Sequence, residues 1–176
     1  MPHHAISRPD PSEYAPYYET YIGPVANQDV LQFLKTQSAA LEPLRSLSET
    51  DAMKRYAPDK WSVKESIGHV TDAERIFAYR MLRIARGDQT PLAGFDQQPY
   101  VEMANFDRLP IAELVDAFGT ARAATLSLAG EIDDDGWRRM GVASGFPVSA
   151  RALAYIIAGH ATHHIGILRD RYGATV

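Results

Sequence analysis

Between Ser149 and Gly173 the chain contains no proline, and its apolar residues recur at three- and four-residue spacing. That pattern predicts one long amphipathic helix, opened by Ser149 as N-cap and closed by Gly173. On a helical wheel its buried stripe runs through Leu153, Ile157, His160, His164 and Leu168. Two histidines four residues apart therefore stand one above the other, in the middle of a face that other elements must cover. Each brings a ring lone pair and an N–H into apolar surroundings, at about 1–3 kcal/mol per unsatisfied group. One divalent ion would satisfy both lone pairs together, at about 2.0–2.1 Å from each nitrogen. His163 falls at the edge of the stripe, suited to a supporting or interface role.

Three further helices are expected. Val30, Phe33, Leu34, Gln37, Leu41 and Leu44 mark one face of a helix over 28–47, with Asn27 as N-cap and a break near 42, before Pro43. Ser62 and Glu65 form a capping box after Trp61, which opens a second helix running to about Arg86, with Gly87 and Asp88 as the stop. Pro110 at a first helical position, followed by Glu113, opens a third that runs to about Gly130. Residues 88–109 lack a period and read as a crossover or lid, and 131–148 as a second loop. Residues 1–27 carry Pro2, Pro9, Pro11, Pro16 and Pro24 and read as an extended segment packed over the domain through Tyr14, Tyr17, Tyr18 and Tyr21. His3 and His4 are expected in solvent. The fold class is all-α, a four-helix bundle over 28–176.

Composition removes several functional classes. The formal charge of −4 comes with no dense Lys/Arg cluster, which argues against nucleic acid as a partner. No apolar run has the length of a membrane span, and the first residues lack the apolar core of a signal peptide. A cytoplasmic location and no membrane partner are the expectation. With no cysteine in the chain, any thiol chemistry needs a thiol from outside.

A third ligand has to come from another helix. His69, in the second helix, lies at the flank of the apolar face with Ser66, Ala73 and Arg80. A flank position faces a neighbouring helix but also suits a boundary histidine, and the wheel leaves both readings open. Glu65 and Asp72 are placed to orient a ring, although the capping box and solvent claim them first. Ala161 follows His160, so the metalloprotease pattern His-Glu-x-x-His is absent. The Glu-x-x-His pairs of a di-iron bundle are absent as well. A mononuclear three-histidine site remains.

Trp61-Ser62-x-x-Glu65-x-x-Gly68-His69 and Gly159-His160-x-x-His163-His164 together resemble the DinB-like (DinB/YfiT) family, and Tyr100-Val101-Glu102 and Arg122-Ala123-Ala124-Thr125 strengthen the likeness over most of 28–172. The resemblance implies an up-up-down-down bundle with long crossover loops, often a homodimer. It also implies one divalent metal ion, zinc or nickel, on His69, His160 and His164. Characterised relatives include thiol-dependent transferases and isomerases that use a low-molecular-weight thiol as co-substrate. The expectation is a metal-dependent thiol S-transferase, or a related enzyme activating water, acting on a small molecule. The alternative is a non-catalytic bundle with a structural metal. Arg80, Arg138, Arg139 and Arg151 are candidates by residue type alone for holding the carboxylates of a thiol. No residue is assigned a catalytic role.

Overall fold

The computed structural model describes residues 6–176; His3 and His4 lie outside them. In chain order the helices are α1 (Glu19–Val25), α2 (Val30–Gln37), α3 (Glu49–Ala52), α4 (Val63–Ala85), α5 (Gln97–Ala104), α6 (Ile111–Gly130), α7 (Asp134–Arg138) and α8 (Ala150–Tyr172). A two-stranded hairpin, β1 (Met140–Ala143) and β2 (Phe146–Ser149), precedes α8. The bundle proper is α2, α4, α6 and α8. Both α4 and α2 pack against α6 and α8, so α2 and α4 are diagonal to each other.

Side-chain contacts fix the helix directions. Arg122 of α6 meets Glu74, in the middle of α4, and Arg86 just after α4 meets Glu131 just after α6, so those two helices are parallel. Tyr172, at the end of α8, bonds the Trp61 carbonyl at the start of α4, so α4 and α8 are antiparallel. Gln37 of α2 reaches Ala158 and Thr162, while Gln28 ahead of α2 lies by Tyr155, so α2 runs with α8. The order is thus up-down-down-up and not the expected up-up-down-down. The physical reason is the connection over residues 86–110, which carries the chain back along the bundle so that α6 starts beside the start of α4.

The expected helix boundaries hold closely for α4 and α8. Ser62 and Glu65 exchange both bonds of the capping box, Glu65 N–H to Ser62 Oγ at 3.0 Å and Ser62 N–H to Glu65 Oε2 at 2.8 Å. Ser149 caps α8 through the Ala152 amide, and Gly173 ends it with φ +68°. Pro110 is the N-cap of α6 rather than its first helical residue. The first bundle helix is shorter than expected: α2 ends at Gln37, and the chain resumes as a 3-10 turn over Glu42–Ser46 with Pro43 near its start.

Three stretches differ in kind from expectation. The N-terminal segment is not extended throughout, because Glu19–Val25 is helical with Pro24 inside it. Pro11 and Pro16 open short 3-10 turns, where a missing N–H costs nothing. The crossover contains α5, capped by Asp96 and ended at Asn105 in the left-handed region. The loop over 131–148 contains α7, capped by Asp133 of the acidic run, and the hairpin. Ser144 and Gly145, with φ +53° and +82°, form the two-residue turn that such hairpins favour. Four-residue strands are too short to carry a readable period.

The apolar core is split in two. One cluster joins α1, α2 and the second half of α4 to the first half of α8, and the other joins the first halves of α4 and α6 to the end of α8. Between them lies a polar layer. Fully buried Arg122 donates to both oxygens of Glu74 at 2.8 and 2.9 Å, to the Leu34 carbonyl at 3.1 Å and to Gln37 Oε1 at 2.9 Å. Gln37 Nε2 donates in turn to the Ala158 carbonyl at 3.2 Å and Thr162 Oγ1 at 3.0 Å. One chain of bonds thus ties all four bundle helices together at the level of the histidines.

Candidate metal centre

Helical phase and one antiparallel contact bring three histidines together. His160 and His164 project from one face of α8, with ring centroids 4.6 Å apart. His69 projects from α4 toward them, its ring 5.0 Å from that of His160 and 4.8 Å from that of His164. The potential ligand atoms of the three all lie within 4.8 Å of one another. His69 Nε2 and His160 Nε2 are 3.1 Å apart. Two nitrogens held by one tetrahedral ion at 2.0–2.1 Å would be separated by about 3.3 Å, so this spacing fits a shared ion.

Two glycines make room for the arrangement. A Cβ on Gly159 would stand 2.0 Å from the Tyr21 carbonyl oxygen, so only glycine lets α1 lie across α8 beside His160. Tyr21 then packs edge-on to that ring at 5.3 Å. A Cβ on Gly68 would stand 2.4 Å from the Phe106 ring, which seats the end of the crossover against α4. Trp61 closes the other side, 4.6 Å from the ring of His69 and stacked at 6.3 Å on that of His164.

His69, His160 and His164 are 3%, 5% and 9% exposed. Burial holds each imidazole below its usual pKa: His69 at about 4, His164 at about 3 with further lowering from His69 and His163, and His160 well below the ordinary histidine value through burial and its histidine neighbours. All three are neutral at pH 7 and have ring lone pairs available as ligands. No aspartate or glutamate among the described residues joins the cluster. Glu65 is held in its capping box and by Arg55 at 2.6 Å, and Asp72 pairs with Arg75 at 3.0 Å, so neither carboxylate orients a ring.

Two clefts reach the cluster. One, of about 340 Å³, is walled by Tyr17, Tyr18, Tyr21, Phe77 and Phe95 and has His69 and His160 on its lining. The other, of about 240 Å³, runs past Trp61 and Tyr172 to His164. Gln97, the first residue of α5, borders both. His163 is exposed and packs against Tyr21 at 5.5 Å and His164 at 5.2 Å, outside the cluster.

The four arginines singled out by type separate clearly. Arg151 is bound to Glu13 and Ser7, and Arg139 to the Ala85 carbonyl, both away from the histidines. Arg138 is exposed in the last turn of α7. Arg80 alone approaches the aromatic cleft. Sequence reasoning did not pair Arg122 with Glu74, although Arg122 stands at a core-facing helical position and within a stretch that carries the family likeness.

No curated protein matches the sequence. Among solved structures, the fold is similar to YfiT from Bacillus subtilis, described as a probable metal-dependent hydrolase with an unusual four-helix bundle topology. The TM-score is 0.71 at 14% identity, over 94% of this chain and 93% of that one. It is also similar to the mycothiol-dependent maleylpyruvate isomerase, with a TM-score of 0.64 at 17% identity, over 84% of this chain and 61% of that one. At such identities the likeness is one of fold. The sequence model of the DinB superfamily matches residues 32–168, from α2 through both halves of the histidine cluster. With well over half its length matched, the chain belongs to the DinB superfamily.

Proposed function

We propose that this protein is a metal-dependent enzyme in which His69, His160 and His164 hold one divalent ion and a small thiol or water is activated for attack on a small organic substrate. The observation that carries this reading is a buried cluster of three neutral imidazoles with no fourth ligand among the described residues, reached by two open clefts. When bound, the ion would supply a positive charge that lowers the pKa of a thiol or water toward neutrality. Imidazole ligands suit zinc and nickel alike.

The chain's own residues shape what reaches that position. Tyr21 and Phe77 pack edge-on to His160 and Trp61 lies against His69 and His164, which fixes the three rings and keeps bulk water from their faces. The Tyr21 phenol, pushed up strongly by burial and bonded to Tyr17 at 2.9 Å, stays protonated and can donate to an oxygen in the cleft. With no cysteine available, a thiol nucleophile would be a co-substrate. Fold similarity to a mycothiol-dependent isomerase supports the thiol reading, and similarity to YfiT supports water as the variant. A purely structural ion would be expected in a sealed core with four protein ligands, and the clefts argue against it.

The test has two stages. Elemental analysis of wild type and His160→Ala should give one divalent ion per chain in the first and none in the second; stoichiometric metal in the variant would sink the site. The loaded wild type is then screened with small thiols against electrophilic carbon substrates and with ester and amide substrates in water. Turnover with any of these supports the enzyme. Complete inertness across the screen would return the ion to a structural role.

A further inference from the structure

Three cationic side chains are buried among the described residues, and two of them have an anion at hand. Lys64 is bound to Glu49 at 2.5 Å and Arg122 to Glu74 at 2.8 Å. Arg80, 3% exposed, has no carboxylate within ion-pair distance among the described residues, and residues 1–5 contain no acidic side chain. A cation this buried with no anionic partner is costly. The arrangement calls for an anion that arrives from outside the chain.

The guanidinium is held by neutral groups only. Its Nη2 donates to the Ala93 carbonyl at 2.7 Å and to Ser144 Oγ at 3.2 Å. Nε and Nη1 have no acceptor in hydrogen-bond geometry among the described residues, although the Tyr18 hydroxyl lies beside the guanidinium; no buried side-chain nitrogen or oxygen among them lacks a partner, so these donors reach open space. Both holding groups come from a fixed platform: the Leu92 N–H bonds the Val142 carbonyl at 2.9 Å, and the Ser144 N–H bonds the Leu92 carbonyl at 3.0 Å. Ser144 is in the left-handed region with φ +53°, a conformation that disfavours a non-glycine residue. Its hydroxyl is what the position gains.

Arg80 stands three turns after His69 on the same side of α4, with Phe77 between. Its guanidinium carbon lies 5.8 Å from the Phe77 ring and 5.9 Å from the Phe95 ring, both on the lining of the histidine cleft. The Phe77 ring is itself 5.8 Å from that of His160. Arg80 itself lines the neighbouring cleft of about 380 Å³, and Phe95 is the wall common to that cleft and the histidine cleft. A cation at one end, aromatic faces along the length and the histidines at the other end describe a site for an apolar molecule with one anionic group.

We propose that the aromatic cleft binds a small organic carboxylate, with Arg80 as the counter-charge and the apolar body lying along Phe77 and Phe95 toward His69 and His160. This deepens the enzymatic reading above and rests on it for the identity of the molecule as substrate; the binding itself needs no ion.

Isothermal titration of the full chain, metal-stripped and zinc-loaded, with benzoate and its neutral isostere benzamide tests the proposal. Benzoate should bind at least tenfold more tightly in both preparations, with the preference lost in Arg80→Met and partly restored in Arg80→Lys. Equal affinity for the two probes, or an unchanged preference in Arg80→Met, would overturn it. Should Arg80→Met fail to fold, the Arg80 Nε resonance of the wild type answers the same question: it must shift and saturate with benzoate, and a resonance that stays in place overturns the site. A benzoate preference in metal-stripped protein that takes up no zinc would leave this site standing and remove the metal reading alone.

Discussion

Gly159 and the Tyr21 carbonyl meet so closely that a single added Cβ would stand 2.0 Å from the oxygen. The contact is between a helix of the bundle and backbone of α1, so neither side can yield by rotating a side chain. Gly159→Ala should therefore lift α1 from α8, destabilise the fold by about 1–3 kcal/mol and loosen the wall over His160. Urea denaturation gives the first effect and zinc affinity the second. An unchanged midpoint would mean that α1 adapts freely.

The polar layer makes a separate prediction. Arg122→Met leaves Glu74 a buried, unpaired carboxylate and removes the partner of Gln37 Oε1, at a cost of about 3–5 kcal/mol. Replacing both partners, in Arg122→Met with Glu74→Leu, should recover most of that loss. Denaturation of the two variants decides it; equal destabilisation would show that the bonds to Leu34 and Gln37, rather than the ion pair, hold the layer.

Stability of the metal-free protein should fall with acid in a defined window. His69 titrates at about 4 and His164 at about 3 when folded, against about 6.5 when unfolded. Below pH 6.5 the unfolded chain therefore binds protons that the folded chain refuses, so stability drops as pH falls toward 4. Each histidine contributes up to about 1.4 kcal/mol per pH unit in that range. Thermal melts of wild type and His69→Phe between pH 7 and 4 should show a shallower slope in the variant. Zinc uptake should decline over the same window, because the ligands must be neutral.

Trp61 offers an optical reading of the cluster. Its ring lies 4.6 Å from that of His69, whereas Trp137 is buried in α7 in the other apolar cluster. Copper or cobalt added to Trp137→Phe should quench most of the remaining fluorescence at one equivalent. Quenching that persists in His164→Ala with the same stoichiometry would place the ion elsewhere.

Adding zinc should also raise the melting temperature of the wild type. At a thousandfold excess over the dissociation constant, binding confined to the folded state adds about 4 kcal/mol. Chelation should reverse the gain, and His160→Ala should show none.

Much of this was legible in the sequence because it depends on local spacing. The capping box of Ser62 and Glu65, the ends of α8 and the stacking of His160 on His164 follow from periods of three and four residues and from which side chains can cap. The short pieces were not legible. A seven-residue helix containing Pro24, the eight residues of α5 and four-residue strands carry too few positions for any period to stand out. Their placement depends on what covers the bundle.

By itself, the sequence determined four long apolar-striped segments and two histidines locked to one face of the last. The tertiary structure decided what those faces meet. Because α4 packs against both α6 and α8, its flank of Ser66, His69, Ala73 and Arg80 is buried as fully as its main stripe. A single wheel cannot show that, since burial on a second face comes from the neighbour's position and not from the helix's own pattern. The same long crossover that reverses the expected order of directions sets α6 parallel to α4 and leaves α8 antiparallel beside it. That pairing brings His69 to within 3.1 Å of His160 across ninety-one residues of chain.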